Sequence, residues 1–126
     1  MAIGPYPTFD TGALITLSDA GNLTASSPDQ ENAFSRGAIV VANLTILAGN
    51  ATVKIQGKDK ASGQYYDIGA GAVLTGNGTT SLTVYPGGPV TSGISVNSPL
   101  PATWRVQTVL SSNGNVSGTV GASVVQ

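Results

Sequence analysis

The chain has no cysteine and no histidine among its 126 residues. Without cysteine there is neither a disulfide framework nor a thiolate metal site. Without histidine the commonest general base and the commonest metal ligand are missing, and a Ser/His/Asp triad is excluded. Charge is scarce as well. Only 9% of residues are Asp, Glu, Lys or Arg, with a net charge of -1, against about 25% in an ordinary domain. Five scattered Lys and Arg make no basic footprint, so nucleic acid is not an expected partner. No apolar run approaches the length of a membrane span, so no membrane partner is expected. The first ten residues lack a basic region followed by an apolar core, so no signal peptide is expected. Five Asn-x-Ser/Thr sequons, at Asn22, Asn43, Asn50, Asn77 and Asn115, therefore read as turn Asn followed by strand Thr.

Ser, Thr, Gly and Asn stand where charge is usual. Such a surface hydrogen-bonds but repels weakly, and it suits permanent contact with other subunits. The length implies one domain, large enough to bury about two-thirds of its unfolded surface.

Residues 51–87 organise the chain and read as one β-meander. Thr52–Lys58 alternates, with Val53 and Ile55 on one face and Lys54, Gln56 and Lys58 on the other. Asp59–Gly63 is a polar turn, and Gln64–Ile68 starts the next strand. Asn77-Gly78 is a strong signal for a two-residue hairpin into Ser81–Tyr85. Pro86-Gly87 stops that strand.

Upstream, residues 1–12 carry Pro5, Pro7, Tyr6 and Phe9 and read as an extended arm, with 13–126 as the single domain. Ala13–Leu17 and Asn22–Ala25 read as short strands joined in a hairpin by Ser18–Gly21. Ser27-Pro28-Asp29 fits the cap of one helical turn. Arg36–Leu47 is the longest apolar run. Ala38, Val40, Ala42, Leu44 and Ile46 form one face and Ile39, Val41 and Leu47 the other, the pattern of a strand covered on both sides by a loop or another chain. Residues 87–101 are a long Gly/Pro/Ser-rich connection, a crossover with a contact role. Around the second hairpin signal, Asn113-Gly114, lie two amphipathic strands. The first has Trp104, Val106, Thr108 and Leu110 on one face; the second has Val116, Val120, Ala122 and Val124. Trp104 is the natural core anchor, and its burial stabilises the fold by roughly 2–3 kcal/mol. The count is eight or nine short strands and no helical period, which means an all-β antiparallel sandwich or small barrel.

Catalytic constellations are few. Asp59 and Asp67 flank one hairpin, but Lys58 and Lys60 beside them favour a surface ion-pair cluster over an acid/base pair. Gly69-Ala70-Gly71 lacks the lysine and helix of a phosphate cradle. Asp19, Asn22, Asp29 and Glu31 lie close in sequence without calcium-loop spacing. Tyr65, Tyr66 and Trp104 are candidates for a sugar platform, but adjacent strand tyrosines point to opposite faces, so core or interface packing is the expected role. No catalytic residue, metal or cofactor is expected, and the chain reads as no enzyme.

The runs Val53–Asp59, Ser62–Tyr66 and Leu82–Gly87, with Leu100-Pro101, Trp104-Arg105-Val106, Val120–Ser123 and the entry Arg36–Val41, resemble a family of small β-rich virion proteins of tailed bacteriophages. The resemblance covers roughly residues 36–125; the first 35 lie outside it. It implies a structural virion protein made in the bacterial cytoplasm and placed on the capsid surface. It implies a decoration, or cement, role with the major capsid protein as partner and a homo-oligomer, a trimer favoured. The candidate interface is Tyr6, Phe9, Ile39, Val41, Leu47, Val90, Ile94 and Val96. Another virion part, such as a tail or head–tail connector protein, and a carbohydrate-binding sandwich are the alternatives.

Overall fold

The computed structural model describes residues 8–21, 23–32, 35–87, 90–111 and 113–125, with side chains from residue 11 onward. The described residues form ten strands and no helix: β1 (Thr8–Ala20), β2 (Thr24–Ser26), β3 (Gln30–Glu31), β4 (Gly37–Ala48), β5 (Ala51–Lys58), β6 (Tyr65–Ala70), β7 (Gly78–Val84), β8 (Ser95–Val96), β9 (Thr103–Leu110) and β10 (Asn115–Val125). Two five-stranded sheets pack as a β-sandwich. Sheet A runs β1-β10-β4-β7-β8; sheet B runs β2-β9-β5-β6, with β3 also on β9. All pairings are antiparallel except β7 with β8. The first strand starts at Thr8, so residues 8–12 of the expected arm belong to sheet A, paired with β10. Residues 1–7 lie outside the described part.

Period-two patterning fixes which side chains face inward. On β4 the set Val40, Ala42, Leu44 and Ile46 is buried. It meets Val116 and Val120 of β10 and Leu82 and Val84 of β7 across the register. Sheet B contributes Val53, Ile55, Trp104, Val106 and Leu110. Trp104 is the largest fully buried side chain, as expected of the core anchor.

The turns behave differently from their local signals. Neither Asn-Gly pair closes a hairpin. β6 lies in sheet B and β7 in sheet A; β9 lies in sheet B and β10 in sheet A. The expected meander is therefore one hairpin, β5–β6, followed by a crossing of the sandwich. The Ser18–Gly21 turn also crosses, since β1 and β2 belong to different sheets. An alternating strand is equally able to continue its own sheet or cross to the facing one, because either choice keeps its dry face inward. Asn77 instead uses its side-chain carbonyl to accept the Ile46 N–H at 2.8 Å. No helical turn forms at Ser27-Pro28-Asp29. There Ser27 turns its hydroxyl onto β9, accepting the Val106 N–H at 2.9 Å.

Three corners stack at one end. Ser111 N–H donates to the Asn50 carbonyl at 3.1 Å, and Asn50 N–H donates to the Ser111 hydroxyl at 2.9 Å. Leu110 N–H donates to the Leu23 carbonyl at 2.9 Å. Gly21 lies so near the Gly114 carbonyl that a Cβ there would collide with backbone.

Candidate functional site

The two outer faces of the sandwich differ in kind. The outer face of sheet A is almost free of charge: β4, β7, β8 and β10 contain no Asp, Glu, Lys or Arg. Ile39, Val41, Asn43 and Thr45 of β4 lie opposite Ser123, Gly121, Thr119 and Ser117 of β10, and Thr79, Ser81 and Thr83 of β7 continue the surface. No loop among the described residues covers the second apolar set of β4: Val41 is 37% and Leu47 71% exposed in the isolated chain. An open depression of about 270 Å³ lies between Ala13, Val41, Asn43, Thr119 and Ser123. Gly121 makes room for the backbone of β1 at its rim: a Cβ there would stand 2.5 Å from the Gly12 carbonyl oxygen. β1 reaches over at this point, with the Thr11 hydroxyl accepting the Ala122 N–H at 3.1 Å.

The expected interface residues do not gather into one patch. Ile39 and Val41 share the open face of sheet A, with Leu47 exposed towards the far end of the same strand. Val90 and Ile94 are exposed beside β8, at the opposite sheet edge from β1. Val96 is half-buried against the core and covers Gly69. Tyr6 and the Phe9 side chain lie outside the described part.

The outer face of sheet B carries the charge, and its side chains bind one another. Lys58 Nζ donates to Asp29 Oδ2 at 3.1 Å, and Tyr65 Oη donates to Asp29 Oδ1 at 2.6 Å. Arg105 lays its guanidinium 3.5 Å from the centre of the Tyr65 ring, a cation–π stack. Its Nε donates to Gln56 Oε1 at 2.9 Å, and Gln56 Nε2 donates to Asp67 Oδ1 at 2.7 Å. Lys54 Nζ reaches the other Asp67 oxygen at 3.5 Å. The sheet register builds this chain, with Gln56 opposite both Arg105 and Asp67, and Lys58 opposite Tyr65.

Hydrogen bonds set the titration of the acids. The Tyr65 hydroxyl, with Lys58 next, holds Asp29 below its ordinary value. The Gln56 amide does the same for Asp67. Asp59 is lowered chiefly by the Ser62 hydroxyl, within its own turn. Asp29 raises Lys58 in return. Asp59 and Asp67 thus serve separate partners and form no acid/base pair. Among the described residues no three acidic, His or Cys side chains are grouped to hold a metal ion. The sugar platform does not assemble: Trp104 is in the core, Tyr65 is stacked under Arg105, and Tyr66 turns the other way, over Gly57 and Pro101. The Arg105–Gln56 link was the element sequence reasoning missed. Its signal was the alternation that puts Gln56 and Arg105 on the outward faces of two strands, where Gln56 is nevertheless buried by its partners.

Comparison of the chain with protein-family models, curated proteins and solved structures finds no match.

Proposed function

We propose that this chain is a decoration protein of a tailed-bacteriophage head, seated on the shell through the outer face of sheet A. The observation that carries the reading is the charge-free surface around Val41. Docking on β4, β7 and β10 desolvates no ion, the acids of this sheet, Asp10 and Asp19, lying on the edge strand β1, and the depression beside Val41 offers relief for a complementary surface. The resemblance over residues 36–125 supplies the virion context.

Sheet edges support contact through a face. β1 is a long edge strand broken by three register shifts, β6, the six-residue edge of sheet B, has one against β5, and β2, β3 and β8 have only two or three residues. Bulged and very short edges resist strand addition. The footprint also bears on copy number. Four strands about 4.8 Å apart and about seven residues long cover roughly 450 Å². A stable interface uses about 800 Å² per partner. One copy alone is undersized, and a homo-oligomer engaging several equivalent shell positions makes up the difference by avidity.

The test uses undecorated heads. Purified protein is expected to co-sediment with them and raise their melting temperature. Val41→Asp is expected to abolish this while the isolated protein melts normally. Failure to bind any head preparation overturns the proposal. So does a Val41→Asp variant that binds as well as the parent.

A further inference from the structure

We propose that Arg105, held on Tyr65, is a receptor for a single carboxylate presented by a protein partner, an Asp or Glu side chain, on the face opposite to the Val41 surface. The starting point is which donors are engaged. Lys54 is paired with Asp67 and Lys58 with Asp29. Arg105 uses Nε on Gln56, and its two terminal amino groups donate to no acceptor among the described residues. Both network carboxylates are already occupied, Asp29 by Tyr65 and Lys58, Asp67 by Gln56 and Lys54. Each of their four oxygens takes its hydrogen bond from one of these partners, and none takes one from Arg105.

The guanidinium is also immobilised. The Tyr65 ring fixes its plane at 3.5 Å and Gln56 fixes its rotation. Gln56 is itself only 8% exposed and tethered to Asp67. Tyr65 is tethered at its hydroxyl by Asp29. Arg105 is half-buried, and its two terminal amino groups are left without an acceptor among the described residues; a guanidinium's paired N–H groups take a carboxylate end-on in two hydrogen bonds. Little rotamer freedom remains to be lost on binding, and this pre-organisation favours the contact.

Charge disfavours a dianion. The three cations and two carboxylates of the network leave one positive charge, and Glu31, hydrogen-bonded to Thr103 two residues along β9 from Arg105, brings the local sum to zero. The guanidinium's own charge and fork then hold a carboxylate, whereas a phosphate dianion meets twice the repulsion from the neighbouring acids. The site is an open strand surface, which suits a side chain delivered by another protein surface rather than an enclosed metabolite.

The experiment needs only the isolated full chain, uniformly labelled with ¹⁵N and followed through its arginine side-chain and backbone amide signals. The probes are the blocked peptide Gly-Glu-Gly, its Gly-Gln-Gly counterpart and inorganic phosphate. The Glu peptide is expected to shift the Arg105 Nε–H signal saturably, and the Gln peptide to leave it in place. Arg105→Lys, which keeps the charge but loses the fork, is expected to weaken binding by about tenfold or more, followed through the backbone amides of Trp104 and Val106. Tyr65→Leu, which removes the stack at an edge strand, is expected to weaken it as well. Tyr65→Phe keeps the ring and is expected to bind more tightly than Tyr65→Leu. Equal response to the Glu and Gln peptides overturns the assignment. So does a stronger response to phosphate, or parental affinity in the folded Arg105→Lys variant. No phage head enters this test, so its outcome is independent of the decoration proposal.

Discussion

Two buried hydroxyls in this sandwich are expected to answer to removal with opposite signs. Thr108 is fully buried on β9, opposite Val53 of β5 and Ala25 of β2, and its hydroxyl has no hydrogen-bond partner among the described residues. An unpaired hydroxyl in a core costs about 1–3 kcal/mol in mutational data. Valine has nearly the same shape and carries a methyl in its place, so Thr108→Val is expected to stabilise by about 1–2 kcal/mol. Ser27 is buried too, but its oxygen accepts the Val106 N–H at 2.9 Å and its hydrogen goes to the Pro28 carbonyl at 3.0 Å. Ser27→Ala strands the Val106 N–H, and the expected loss is about 1–3 kcal/mol. An unfolding entropy of about 2.1 cal/mol/K per residue gives about 0.26 kcal/mol/K for this chain, so Thr108→Val is expected to raise Tm by about 4–8 °C. Calorimetry and urea titration of the two variants beside the parent provide the measurement. A Thr108→Val protein that melts at or below the parent refutes the reasoning, because its hydroxyl then has a partner that valine lacks.

Gly118 has φ +138°, and a Cβ there would collide with the Asn43 carbonyl and stand 3.0 Å from Leu44 Cα. Overpacking against backbone together with the unfavourable φ makes Gly118→Ala cost about 3 kcal/mol, readable as a lowered urea midpoint. Asp29, Asp59 and Asp67 are all lowered from 3.8 in the fold. Their contribution is complete above that value and is lost as pH falls through the lower folded values. Stability is therefore expected to decline below about pH 4, and less steeply in Asp67→Asn; a profile flat down to about pH 2 contradicts this. Trp104, 1% exposed, is expected to emit as a buried indole, resist iodide quenching and ignore added glycans. A glycan-dependent change in its emission would revive the carbohydrate-binding alternative.

The alternation of Ala38 to Ile46 against Ile39, Val41 and Leu47 was legible from the residues alone, as were the inward face of β9 and the burial of Trp104. A strand's side chains alternate by geometry, and apolar residues leave water whichever sheet they join. The same reading placed Lys54, Gln56 and Lys58 on the face away from the core, but it assigned them no partners and expected Gln56 to be wet, whereas its bonds to Arg105 and Asp67 leave it buried.

Which strands lie side by side was decided only by tertiary structure. Asn77-Gly78 and Asn113-Gly114 carry hairpin chemistry, yet each connects two sheets, because a turn signal says that the chain reverses and not which neighbour it meets. The Arg105–Tyr65–Asp29 chain depends on the same long-range choice: its members come from β9, β6 and the segment between β2 and β3, and only the order of sheet B brings them within hydrogen-bond reach. Local sequence set each strand's inner and outer faces; the pairing of distant strands, a matter of collective burial, set what those faces touch.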